Sequence, residues 1–242
     1  MKKQLQWLSS VVVFVSLIGC GGGGAGPTTS TPSVPNNPIV TSVNVAAAVN
    51  NLLRAGHSFT LIGTNSQGTS LRVNLSTAAG NQVTDLDISY DTSNITSSAY
   101  SDGILLANNV STIWLIQGTL TPYFTTTTTS QACGKITSTT PLPTQAQIGQ
   151  SGHYYSATRY TSCISPSSIR AWWGSSGNNT LTWSVQAVEG ITYVCLNSST
   201  QDVTTTTESD CVEVIASDGT LGSRARVTTK DWKNVTATLS TS

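Results

Sequence analysis

The sequence predicts a mainly β protein, an antiparallel sandwich-like fold in one unit or two, with one short helix near its N-terminal side. Three observations predict it. Apolar and polar residues alternate at period two through much of the chain after residue 57. Turn-forming clusters interrupt those runs roughly every 8 to 15 residues, the spacing of antiparallel strands. The helix–strand alternation that builds parallel sheets does not occur.

Taken in order, residues 1–19 have the layout of a secretory signal. Lys2 and Lys3 form a positive start, and an apolar stretch runs from about Leu5 to Ile18, densest from Val11 to Val15. The stretch is shorter than the ~20 apolar residues of a membrane-spanning helix, and Gly21 to Gly24 end it. The four residues Leu17-Ile18-Gly19-Cys20 resemble the lipobox of bacterial, Gram-negative lipoproteins. That resemblance implies cleavage before Cys20, a diacylglyceryl group on its sulfur with palmitate-type chains, and a membrane as partner. One acyl chain binds a bilayer with K on the order of 10⁴ M⁻¹, whereas two or more hold firmly. Gly21 after the cysteine, in place of Asp, implies the outer membrane as the destination.

Residues 20–39 then read as the lipidated cysteine and a Gly/Pro/Ser/Thr tether, uncharged and with little to bury. As a flexible coil it would reach about 25 Å. Residues 44–56 predict the helix, capped by Asn44 and stopped by Gly56 after Arg54. Beyond it, Leu71-Val73-Leu75, Leu181-Trp183-Val185-Ala187 and Val235-Ala237-Leu239 show strand periodicity. Asn65 to Gly68, Asn108-Asn109, Ser176 to Asn179 and Ser217 to Gly219 read as turns. The threonine run Thr125 to Thr129 suggests a division into β-rich units at 40–130 and 131–242, or alternatively an exposed strand.

With Cys20 assigned to lipid, Cys133, Cys163, Cys195 and Cys211 form an even set, which in an exported chain predicts two disulfides. Of three connectivities, Cys133–Cys163 and Cys195–Cys211 are expected, because "ITYVCLN" and "SDCVEVI" look like the arms of one hairpin. No CxxC spacing occurs and no histidine lies near a cysteine in sequence, so zinc and redox chemistry are poor readings.

Composition narrows function more by exclusion than by signal. Charged residues are 9% of the chain, and removing the signal takes two lysines, leaving a net charge of about −2. A basic face for nucleic acid is missing. "DLDISYD", residues 85–91, places acids at alternate positions as a calcium loop does. It holds Tyr90 and Thr96 where an EF-hand needs glycine and glutamate, so a half-buried strand with a polar face is expected instead. Trp172, Trp173 and Tyr154 could offer a glycan-stacking surface, although adjacent tryptophans on a strand point to opposite faces. His57 and His153 lie in no nucleophile elbow, metalloprotease or Ser-x-x-Lys pattern, so no catalytic residue, metal or cofactor is expected.

From "PLPTQAQIGQSGHYY" through "LTWSV" to "ESDCVEVIASDGTLG", roughly residues 140–222, the body is similar to small uncharacterised exported lipoproteins. This resemblance implies no activity. The sequence thus leads to a non-enzymatic, lipid-anchored outer-membrane lipoprotein with an envelope or surface-contact role. A glycan- or peptidoglycan-binding module is the alternative, and a hydrolase ranks third.

Overall fold

The computed structural model describes residues 39–127, 132–161, 163, 175–201 and 205–241, so the signal segment, Cys20, the tether, Trp172 and Trp173 lie outside the described residues. Along the chain come β1 (Ser42–Val43), α1 (Val45–Arg54), β2 (His57–Asn65), β3 (Ser70–Ala79), β4 (Val83–Asp85), β5 (Ile88–Ser101), β6 (Ile104–Ile116) and β7 (Pro122–Thr127). These are followed by β8 (Cys133–Thr139), β9 (Ala146–Gln147), β10 (Ser151–Tyr160), β11 (Ser175–Val188), β12 (Ile191–Gln201), β13 (Thr205–Val214), β14 (Leu221–Lys230) and β15 (Thr236–Thr241).

The strands form a closed antiparallel barrel of twelve, not a sandwich. From β5 to β8 and from β10 to β15 sequence neighbours pair in hairpin fashion, with β8 joined to β10. Two further pairings close the ring: β3 with β5, and β15 with β2. β4 only extends a hairpin from β5, and β1 pairs with β9 as a separate ribbon. The reason for the departure is physical. Period-two alternation specifies one buried face per strand, but a sheet satisfies it equally by packing on a second sheet or by curling onto itself. Strands from both sides of the threonine run share this wall, since β7 pairs with β8 and β2 with β15.

Alternation sets which side is inside. Phe59, Leu61, Leu71, Val73, Ala237 and Leu239 point into the barrel and are buried, while Thr60, Thr64, Arg72, Asn74, Thr236 and Thr238 between them are exposed. α1 seals one end. Asn44 Oδ1 accepts from Ala47 N at 2.9 Å, and the chain leaves the helix through Gly56 at φ +79°, as the sequence predicts. Val45, Ala48, Val49 and Leu53 pack against Ile113, Tyr155, Leu181, Val185, Val194 and Val214, residues from five strands. Two lumenal hydroxyls satisfy the last turn: Thr77 Oγ1 donates to Leu52 O (2.5 Å) and Ser93 Oγ to Leu53 O (2.6 Å).

Three local expectations are corrected. Asn108-Asn109 lies within β6 and Ser176 to Asn179 within β11. There Asn108 and Asn178 face outward, Ser98 Oγ donating to Asn108 Oδ1 at 3.1 Å across the strands, while Asn109 and Asn179 face inward. "DLDISYD" is not one strand. Leu86 (φ +49°) and Asp87 (φ +63°) form a two-residue turn between β4 and β5, the left-handed pair that tight hairpins favour.

Both disulfides form with the expected pairing, and both lie on the outer wall. Cys195 and Cys211 stand directly opposite on β12 and β13, flanked by Tyr193. Cys133–Cys163 sits in an outer aromatic cluster with Tyr90, Trp114 and Phe124, whose last two rings meet edge to face at 5.8 Å.

Candidate functional site in the barrel lumen

The two ends of the barrel differ in chemistry. At the sealed end Asp91 ties helix to wall. Its Oδ2 receives Arg54 Nη2 (3.0 Å) and Gly118 N (2.9 Å), and its Oδ1 receives Gln82 Nε2 (3.2 Å). The Gly118 amide foremost, with Arg54 and Gln82, holds the Asp91 carboxyl below its ordinary range despite partial desolvation. The Asp91 carboxylate is fully paired and has a structural task.

Towards the other end the lining turns polar. Ser97, Ser111, Thr127, Asn179, Ser198 and Glu208 are each at most 4% exposed. β13 contributes two acids to this lining. Cys211 and Ser209 face outward, so Glu208 and Asp210 face inward, in phase with Val212 and Val214. Across the sheet, Ser198 stands opposite Glu208, Leu181 opposite Ser198, and Tyr155 opposite Leu181. Asn179, opposite Thr200, lies one inward position further from α1.

Both oxygens of Glu208, Asp210 Oδ1, Ser198 Oγ, Asn179 Oδ1 and Tyr155 OH are out of contact with solvent, and apart from a proton that Glu208 and Asp210 can share they meet no hydrogen-bond partner among the described residues. An unmade hydrogen bond on a buried polar group costs roughly 1–3 kcal/mol, so such a concentration on neighbouring strands is exceptional. The two carboxyls lie close enough to share a proton. Burial, reinforced by Asp210, pushes Glu208 well above the ordinary carboxyl range, and burial pushes Asp210 up to about 7. Tyr155 and Asn179 also line a lumenal cavity of about 10 Å³ with Thr125, Gly134, Ala157 and Arg159. That is room for one water-sized or ion-sized occupant.

The sequence-derived candidates fall elsewhere. Tyr154 is 4% exposed and its hydroxyl donates to Leu120 O at 2.7 Å, so its ring offers no stacking face to a glycan. Trp172 and Trp173, like Cys20, lie outside the described residues. His153 bonds Ser156 Oγ through Nε2 and Thr140 Oγ1 through Nδ1, both at 3.0 Å. A hydroxyl thus stands where a Ser–His–Asp arrangement has its carboxylate, and Ser151 is not the serine engaged. His57 stacks on Phe59, with ring centroids 6.0 Å apart. Among the described residues no three His, Cys, Asp or Glu side chains come together, and no helix is long and apolar enough to cross a membrane. Reading the residues one by one missed the lumenal acids, although "ESDCVEV" carried a signal: two acids in phase with two core valines.

No protein-family model, curated protein or solved structure matches the chain.

Proposed function

We propose that this protein is a lipid-anchored outer-membrane lipoprotein, acting without catalysis in the envelope or at its surface, with a water-facing barrel carried on a short tether from Cys20. One observation carries the reading: the outward positions of β2, β3 and β15 are polar, while the lumen beside α1 is apolar. A barrel that spans a bilayer needs the reverse, an outward apolar band about 25 Å tall with aromatic girdles. Here Ser58, Thr60, Thr64, Arg72, Asn74, Thr236, Thr238 and Ser240 cover the outside. The exposed large apolar residues, among them Ile62, Ile88, the arm Ile104 to Leu106, Ile116, Tyr123, Ile215 and Trp232, are scattered over different strands and turns and do not make such a band. A wall of this kind favours attachment through a point anchor, and Leu17-Ile18-Gly19-Cys20 supplies one.

Replacing Cys20 with Ala tests it. The expected result is loss of metabolically incorporated fatty acid and a shift of the protein from the membrane to the soluble fraction. A Cys20→Ala chain that stays membrane-bound at the original level overturns the anchor. Protease treatment of intact cells then distinguishes surface display from an inward-facing barrel.

A further inference from the structure

We propose that Glu208, Asp210 and Ser198 form the core of a buried binding site for a hard divalent cation, with calcium the best fit. Four features on three adjacent strands point to it. The unpaired atoms on β11, β12 and β13 are all oxygens, from two carboxylates, a hydroxyl and an amide carbonyl, with the Tyr155 hydroxyl nearby. That is the donor set of an oxygen-coordinated cation, and the cluster offers neither thiolate nor imidazole to favour a transition metal. Ser198 Oγ and Asn179 Oδ1, on residues each 2% exposed, meet no partner independently of the acids and face the same lumen. Cross-strand register puts Ser198 and Glu208 Cβ atoms about 5 Å apart, with Glu208 and Asp210 roughly 7 Å apart along one strand. Carboxylates there reach a common ion.

Charge favours the same occupant. Two ionised carboxyls balance one divalent ion. Their wall neighbours facing inward are uncharged: Leu196, Ser198 and Thr200 on β12, Val227 and Thr229 on β14. Arg159 on β10 lines the adjacent cavity and has interactions of its own. Calcium tolerates irregular, all-oxygen cages, while magnesium demands a near-octahedral shell and retains its waters. The acids at Asp85 and Asp87, on an exposed hairpin, have no part in the site.

The test uses the purified full-length protein, stripped with chelator. Terbium is the probe, because Trp183 lies one strand pairing from Leu196, which pairs with Asp210, close enough to sensitise its emission. The expected result is sensitised terbium luminescence that calcium displaces, and a melting temperature that rises with calcium more than with equal magnesium. Glu208→Gln is expected to weaken calcium binding at least tenfold while circular dichroism shows an intact barrel. Ser198→Ala, a smaller change, is expected to weaken it several-fold. Asp87→Asn is the control and should leave binding unchanged. Absence of both luminescence and thermal shift in the folded protein overturns the site. Binding that survives Glu208→Gln within twofold, or is lost in Asp87→Asn, also overturns it, because the ion would then sit on surface acids only.

Discussion

Asp91 shows how one carboxylate can fasten two parts of a barrel. It receives the Gly118 amide from the β6–β7 connection, Arg54 from the last turn of α1, and Gln82 from the chain before β4. Because its folded pKa is depressed, its contribution is present in full above the unfolded value of about 3.9 and is lost as pH falls through the folded one. Asp91→Asn should therefore destabilise by about 1–2 kcal/mol at neutral pH, the Arg54 share being trimmed because that side chain is 31% exposed. The variant should also show a shallower loss of stability than the parent below about pH 4. Urea titrations at pH 7 and pH 3 measure both, and parallel behaviour of the two proteins would refute the assignment. At this scale the sequence was partly legible. Glu208 and Asp210 stand out in "ESDCVEV" because acids in register with core valines break the rule that inward positions are apolar. Ser198 and Asn179 do not stand out, since serine and asparagine also cover the outer wall, and only register puts these two inside.

The helix is held by the chain before it and by a turn far along the sequence. Asn44 N donates to Ser217 O (2.9 Å) and Asn51 Nδ2 to Gly219 O (3.1 Å). Gly219 has φ +91°, and a Cβ there would lie 2.6 Å from Ala48 N and 2.8 Å from Asn44 O. Gly219→Ala is expected to cost about 1–3 kcal/mol through backbone strain and collision. The loss should concentrate at the sealed end, with amide exchange in α1 accelerating more than in β11 and β12. Equal acceleration everywhere would count against a local seal. Legibility of elements followed the range of the forces that make them. Asn44 as cap and Gly56 as stop act within a few residues, so the helix could be read from its own segment. Asn108-Asn109 and Ser176 to Asn179 carry turn-like residues, but cross-strand pairing with neighbours overrides that preference, as strand propensity commonly yields to context.

At the scale of the molecule, the decisive contact is the pairing of β2 with β15. Gly63 faces Leu239 across it, and a Cβ at that position would collide with the Thr238 carbonyl oxygen. Gly63→Val should force the seam apart and expose two strand edges, which are templates for association. Size-exclusion chromatography is expected to show oligomers, with a lowered urea midpoint. A monomer as stable as the parent would mean that the seam does not need this close approach. The same contact explains why the barrel was not legible. Alternation marks inward faces strand by strand, whereas closure depends on which distant edges meet, and no local pattern records that choice.

The seam also sets a schedule. β2 emerges among the first strands of the chain, and its partner Ala237–Thr241 emerges only after all the others. Until residue 241 is free the ring has two open edges, and no stretch up to β14 can complete it. A polypeptide built this way stays unclosed until β15 is free to pair. That is an advantage for any chain threaded lengthwise through a narrow passage, because the barrel that could block the passage forms only after the last strand has cleared it.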